Sequence, residues 1–316
     1  MWESVTTLLT FRDNIKTFLS RYDYIATPVF KFLLALLVFV SLNRQFGYMP
    51  VLGNGLLLVL LSFICAFLPI EIITGIGAVM IVLQSMQVSL DVGLTSIAFI
   101  LIFYCGYMRF ATKTGIIVFL VPLCYISHLV YALPVLLGFL VGPAAIVPAI
   151  FGMILYHYEN SLADLVKVLA ASAEDEEMIQ GFQYIMSELL GDKLMMLAFI
   201  VFACVILVTY VVYRASFEHS WIVSFLVGGF LNVVLFLVGS VTLSIEVEII
   251  QILLGSLTGF LIAVCLQFVK GIVDYQKTEL LQFEDDEYYY YVKAIPKLSV
   301  SESNKNVKHI NSKTHN

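Results

Sequence analysis

His128 is the residue whose side chain could most readily do chemistry within an apolar segment of this sequence. It lies in PLCYISHLVYALP, with Tyr125 three residues before it and Tyr131 three residues after it. Residues three apart share one face of a helix, so the spacing predicts that the three side chains line a common surface. Ionisable side chains inside a bilayer are costly and usually functional. We predict that these three residues bind a substrate; the alternative is a histidine that hydrogen-bonds between packed helices.

The apolar segment that follows, PVLLGFLVGPAAIVPAIFGMILY, is interrupted by prolines and glycines. Irregular backbone at bilayer depth is tolerated only where protein or water covers it, and transporters use such broken helices to hold polar substrates. We therefore add Gly142 and Pro143 to the predicted substrate-binding site. Residues 133–157 are predicted to form a re-entrant hairpin that returns to its own side of the membrane; the alternative is one kinked crossing.

Four common motifs of catalysis and of nucleotide or cofactor binding are absent. The chain has no GxxxxGK[ST], HExxH, GxSxG or GxGxxG pattern. Its five cysteines lie in apolar segments without a CxxC pair, which favours small buried side chains over metal ligands or disulfides. We therefore expect no enzyme activity, no metal and no cofactor. The net charge of −6 argues against nucleic acid as a partner.

The elements that must position these residues are transmembrane helices. The chain of 316 residues is 60% hydrophobic and 13% charged, with a mean hydropathy of +0.96, whereas soluble domains carry about 25% charged residues. Apolar runs recur near the ~20 residues that a helix needs to cross a bilayer, and they lack the alternation of a β-barrel. The sequence therefore predicts an all-α polytopic membrane bundle with eight spans plus the re-entrant hairpin. The predicted spans are residues 26–43, 55–69, 72–88, 93–108, 115–132, 194–213, 220–241 and 249–268.

Basic residues indicate which way the bundle faces, because lysine and arginine near helix ends favour the cytoplasm. Arg12, Lys16, Arg21 and Lys31 crowd the start of the first span, so we place the N-terminus inside. With a re-entrant hairpin most other basic residues near the membrane also fall inside, whereas a crossing hairpin would export the lysine-bearing tail. We predict a multi-pass plasma-membrane protein with both termini cytoplasmic.

The chain divides into five predicted segments. Residues 1–24 form an amphipathic interfacial helix, and residues 158–193 form extracytoplasmic amphipathic helices, the second of which ends at Gly191. These helices either cap a cavity in the bundle or pack on its surface. The remaining segments are the N-terminal transmembrane bundle (25–157), the C-terminal three-helix transmembrane segment (194–270) and the cytoplasmic tail (271–316), which is predicted to be disordered after about residue 300.

The tail contains FEDDEYYYYVKAIPK, residues 283–297, where acidic residues run into tyrosines. We expect the last transmembrane helix to continue through KGIVDYQKTELLQF and the tyrosine segment to form a short strand, which Pro296 limits. This strand is predicted to pair with a second subunit or with the sheet edge of a cytoplasmic protein; the alternative is an aromatic anchor at the membrane surface. The candidate partner-binding residues are Glu284, Asp285, Asp286, Tyr288, Tyr289, Tyr290 and Tyr291.

Two glycines and the balance of polar residues complete the functional hypotheses. Gly255 and Gly259 form a GxxxG pattern, which permits close helix packing within the bundle or in a homo-oligomer. The broken hairpin favours a transporter or permease component for a small solute, without an energy-coupling domain of its own. The sparse polarity of the spans favours the alternative, a non-catalytic membrane scaffold that recruits partners through its tail and external helices.

Overall fold

The computed structural model describes residues 22–171, 177–216, 219–270, 279–284 and 289–294. The predicted N-terminal interfacial helix and the region after residue 300 lie outside these ranges, as do Asp285, Asp286 and Tyr288. The chain separates into two compact units, one of residues 21–266 and one that combines residues 1–20 with 267–316.

Described residues from 22 to 270 are mainly helical. A π-helical turn, Tyr104–Met108, extends the fourth helix, and 3-10 turns precede the fifth, sixth and seventh. The helices are α1 (Asp23–Gln45), α2 (Gly55–Phe67), α3 (Ile70–Val88), α4 (Leu90–Phe103), α5 (Ile117–Ile126), α6 (Leu133–Leu140), α7 (Ile146–Ala171), α8 (Glu177–Gly191), α9 (Lys193–Tyr213), α10 (Ser220–Leu243) and α11 (Ile249–Lys270).

Six of the described helical segments are long and apolar enough to cross a membrane, which supports the predicted membrane-protein fold class. They are Asp23–Gln45, Ile70–Val88, Leu90–Met108, Lys193–Tyr213, Ser220–Leu243 and Ile249–Phe268. The shorter apolar helices are Gly55–Phe67, Thr112–Ile126 and Val130–Leu140. These fall short of the ~20 residues that a perpendicular crossing requires, so the structure does not reproduce the predicted count of eight spans.

The chain breaks and turns between α6 and α7. Gly142 has a φ of +80°, and a Cβ atom there would lie 2.7 Å from the ring of Tyr210, so a side chain is disfavoured by both conformation and space. The hydroxyl of Tyr107 donates a hydrogen bond to the carbonyl oxygen of Ala144 at 2.5 Å, which fixes the turn. Helix α7 then continues unbroken past residue 157 to Ala171, so no helix boundary separates the hairpin from the first predicted external helix.

Short polar side chains begin several of the helices. The Ser89 hydroxyl accepts the Val92 N–H at the start of α4, and the Asn54 side chain accepts the Leu56 N–H at the start of α2. Such caps satisfy backbone donors that the helix leaves free. Because Ser89 alone joins α3 to α4, the two helices turn back on each other and pack side by side.

Two described strands follow the last helix. Strand β1 (Glu279–Glu284) pairs antiparallel with β2 (Tyr289–Ala294), with Glu284 opposite Tyr289. The expectation that helix continues through residues 279–284 is therefore wrong, and the predicted tyrosine strand has its partner in the same chain. A hairpin satisfies backbone hydrogen bonds locally, which a single strand cannot do.

Candidate functional site

A cavity of about 510 Å³ opens at one end of the helical unit, where α5 ends and α9 and α11 begin. Its lining is strongly acidic and aromatic, and none of the described lining residues is a lysine or arginine. The carboxylates are Asp164, Glu188, Asp192, Glu246 and Glu248, and the rings are Tyr125, His128, Tyr131, Tyr156 and His157.

Three residues of the predicted site, Tyr125, His128 and Tyr131, all line this cavity. They do not share one helical face, because α5 ends at Ile126. His128 instead adopts a left-handed conformation with a φ of +55°, which histidine tolerates better than most residues. Its side chain is exposed. A turn, and not helical periodicity, therefore brings the three side chains to the cavity.

The other two predicted residues, Gly142 and Pro143, are not part of the cavity lining. They lie beyond the opposite end of α6, where Gly142 faces the Tyr210 ring. The broken segment thus separates the predicted site into two places, with the rings at the cavity and the glycine-proline turn one short helix away.

Asp192 holds one wall of the cavity through two hydrogen bonds. Its Oδ1 accepts the Met195 N–H at 3.0 Å and caps α9, and its Oδ2 lies 2.6 Å from His157 Nδ1. The His157 Nε2 atom is buried and has no hydrogen-bond partner among the described residues. Beside it, the Tyr125 and Tyr156 rings stack with centroids 4.1 Å apart. This wall therefore combines a carboxylate–histidine pair with two aromatic faces.

A second part of the cavity wall contains Tyr131 and is fixed by contacts with α10 and α11. The Asn232 amide nitrogen donates to the Tyr131 carbonyl at 2.9 Å and to the Ser256 hydroxyl at 2.9 Å. A Cβ atom at Gly255 would lie 2.7 Å from Tyr131 Cβ, and one at Gly259 would lie 2.8 Å from the Cα atom of the next residue, Ala132. The GxxxG pattern thus packs against a 3-10 turn of the same chain.

Helix α8 contributes Glu188 to the cavity lining. The helix is held against α4 because the Asp91 carboxylate accepts the Phe182 N–H at 2.9 Å. Asp91 lies in the first turn of α4, where a negative charge also suits the helix dipole. The second predicted external helix therefore forms part of the cavity mouth, and its end at Gly191 agrees with the sequence.

A second polar cluster lies inside the unit, on α7 behind the cavity wall. The Tyr158 hydroxyl hydrogen-bonds with the Ser96 hydroxyl at 2.5 Å, and the Glu159 side chain contacts the amide of Gln45. Tyr158 and Glu159 are 5% and 3% exposed. The sequence reasoning missed both, although the buried positions 155, 158, 159 and 162 follow helical 3–4 spacing and place them on the apolar stripe.

The cavity has the groups needed to recognise a cation. Carboxylates attract positive charge, and tyrosine faces bind organic cations through their quadrupole. No described group of three histidine, cysteine, aspartate or glutamate side chains is arranged to hold a metal ion. No family model, curated protein or solved structure matches the chain.

Proposed function

We propose that the protein is a transporter or permease component that carries a small organic cation across a membrane. The acidic, tyrosine-lined cavity at the end of a bundle of apolar helices is the observation that carries the proposal. Its volume falls within the range of about 300–1,000 Å³ that is typical of small-molecule sites. No catalytic step is assigned to the cavity residues.

The distribution of charge favours a cation over an anion or a neutral solute. Asp164 pairs with Lys167 at 2.7 Å and Asp192 pairs with His157, but Glu188, Glu246 and Glu248 form no ion pair with a described basic residue. A cation 4 Å from one carboxylate gains from about 1 kcal/mol in water to about 4 kcal/mol at an effective dielectric constant of 20. Three such carboxylates make the cavity hostile to anions.

We propose that residues 133–157 re-enter the membrane and return to the cavity side. The turn after α6 contacts Tyr107 beyond the far end of α4, whereas α7 returns to Asp192 at the cavity. A path that leaves and returns to one side keeps the parity of the predicted spans. The cavity would then face the outside of the cell. The protein would lie in the plasma membrane with both termini in the cytoplasm.

Uptake of tetraethylammonium into vesicles that contain the purified protein tests this function. Neutralising Glu248 and Glu188 together (E188Q/E248Q) is expected to weaken uptake at low probe concentration by about 25-fold or more, since each carboxylate contributes about 1 kcal/mol or more. His128→Ala is expected to lower uptake without removing the protein from the membrane. The control is Glu71→Gln, an acidic residue of α3 outside the cavity lining, which should leave uptake unchanged.

Two outcomes would contradict the proposed function. The first is a wild-type protein that transports no tetraethylammonium under any gradient. The second is equal uptake by the wild-type protein and the double glutamine variant, which would separate transport from the cavity.

A second candidate function, a scaffold that recruits partners, is favoured by the β1–β2 hairpin. In a two-stranded sheet each strand has one edge without a strand partner, and an added strand from a cytoplasmic protein or a second copy can pair there. The predicted partner-binding residues Glu284, Tyr289, Tyr290 and Tyr291 lie in these strands. Deleting residues 279–294 should then remove proteins from a pull-down of the solubilised protein; an unchanged set of proteins would contradict recruitment by the hairpin.

A further inference from the structure

Glu159 is a carboxylic acid buried in the helical unit, and only 3% of its surface is exposed. It lies on α7, outside the apolar segments that could span a membrane. Its side-chain contact is the amide of Gln45 at the end of α1, whose nitrogen can donate to the carboxyl oxygens. Its burial raises the pKa of Glu159 well above the ordinary value of a glutamate. The site therefore favours the protonated, uncharged form.

The charged and titratable groups around Glu159 do not offset its burial. Tyr158 neighbours it on α7. Tyr48, which follows α1, lies close enough to Tyr158 to interact with it electrostatically. Asp164 and Lys167 lie further along α7, and their opposite charges compensate each other in an ion pair. His157 is paired with Asp192 on the cavity side, with its Nδ1 atom 2.6 Å from the Asp192 carboxylate. An isolated buried carboxylate is costly, and it takes up a proton when no cation compensates it.

We propose that Glu159 is a proton-binding site that is occupied in this conformation, and that its ionisation displaces α7 from α1. On release the carboxyl O–H bond breaks, the proton passes to a water molecule, and the side chain keeps one negative charge. That charge needs water, which it can reach only if the contact with Gln45 opens. Uptake of a proton reverses the step and restores the buried contact.

Ionisation of Glu159 is linked to the cavity because both depend on α7. The same helix supplies Tyr156, His157, Asn160, Ser161 and Asp164 to the cavity lining. A displacement of α7 therefore changes the shape of the cavity and the position of its His157–Asp192 pair. Resting on the transport function proposed above, this linkage makes the proton the coupling ion for movement of the cation.

Infrared difference spectroscopy of the full-length protein in lipid tests the proton site without any solute. The wild-type protein at neutral pH should show the carbonyl stretch of a protonated carboxylic acid, and this band should disappear on raising the pH. Glu159→Gln, a neutral side chain of the same shape, should lack the band. The matched control is Glu188→Gln, which removes an exposed carboxylate and should retain the band. Should Glu159→Gln fail to fold, Gln45→Leu should instead shift the band, because it removes the hydrogen-bond donor.

The proton site is overturned if the wild-type protein lacks the band at neutral pH, or if the folded Glu159→Gln variant keeps it. Where Glu159→Gln does not fold, an unshifted band in Gln45→Leu overturns it as well.

Vesicles with an imposed pH gradient test the coupling. Tetraethylammonium flux through the wild-type protein should change with the gradient, whereas flux through Glu159→Gln should not respond to it. An equal response of both proteins overturns the coupling. If the wild-type protein moves no tetraethylammonium at any pH, the transport function and the coupling both fail, while the infrared band still decides whether Glu159 holds a proton.

Discussion

Replacing Gly259 by alanine tests the packing that supports one wall of the cavity. A Cβ atom at residue 259 would lie 2.8 Å from the Cα atom and 3.0 Å from the carbonyl oxygen of Ala132. Carbon atoms prefer separations of about 3.5–4.0 Å, and the atoms in the way belong to the backbone, so they cannot rotate aside. The strain must be relieved by moving α11 away from the turn that carries Tyr131.

The size of the effect follows from two opposing contributions. Overpacking of this kind costs about 1–3 kcal/mol, while alanine gains about 1 kcal/mol over glycine in a helix interior. The matched control is Gly229→Ala in α10, where the added Cβ atom would lie 3.8 Å from its nearest neighbour, the Ser256 carbonyl oxygen. The control receives the gain without the strain. The difference in stability between the two variants is therefore about 1–3 kcal/mol, and Gly259→Ala is the less stable.

Thermal unfolding of the detergent-solubilised protein measures this difference. For a large domain each kcal/mol corresponds to about 2–4 °C in Tm. The shift should not depend on protein concentration, because both sides of the contact belong to one chain. If Gly259→Ala is as stable as Gly229→Ala, the packing argument is wrong. A loss that grows on dilution would instead indicate that the GxxxG pattern forms an interface between two copies.

Three further perturbations probe other parts of the described structure. Asp192→Ala should lower Tm more than Asp192→Asn, since asparagine keeps the helix cap, worth about 1 kcal/mol, while both lose the charge beside His157; equal losses would contradict the capping role. Tyr158→Phe should cost about 1–3 kcal/mol because it leaves buried polar groups unsatisfied, and an unchanged Tm in thermal unfolding would contradict that network. Cysteines introduced at Arg109 and Glu188, in a chain without the native cysteines, should react with a membrane-impermeant maleimide from opposite sides; labelling from one side contradicts the re-entrant path.

The fold class could be predicted from the sequence because apolar runs of sufficient length leave helix as the only way to satisfy the backbone in lipid. The count of spans could not, because helix ends depend on local breaks that hydropathy does not register. Pro69 follows α2 and ends it after Phe67. The left-handed residue His128 follows α5, and no pattern in the apolar run marks it.

The candidate site was predictable in part. The sequence singled out Tyr125, His128 and Tyr131, and the structure places all three at the cavity, but through a turn and not through the helical face that their spacing implied. The acidic half of the lining comes from α7, α8 and the starts of α9 and α11. These segments are distant in sequence, and only tertiary packing brings their carboxylates together.

Glu159 shows a signal that the sequence did contain. Residues 158–193 are polar overall, which predicts one external segment. The average polarity of the segment hides the helical periodicity of its first residues, which continues from residue 155. Leu155, Tyr158 and Leu162 mark a buried helical stripe, and Glu159 lies on it. Periodicity across the predicted boundary is therefore more informative than composition within it.

The two walls of the cavity differ in how firmly they are held, and this difference indicates where movement begins. The Tyr131 wall is fixed by the Asn232 amide and by glycine contacts to Tyr131 and Ala132. These contacts involve no ionisable group, and the glycine contacts leave no space between α11 and the turn. The α7 wall is held by the contact of His157 with Asp192 and, behind the cavity, by that of Glu159 with Gln45, and each of these contacts contains titratable groups. If the cavity changes shape during a transport cycle, α7 must move while the turn at Tyr131 stays in place. A spin-label or fluorophore pair should therefore report pH-dependent distances between Asn160 and α11, and constant distances between Leu129 and α11; the reverse result would exclude α7 as the moving wall.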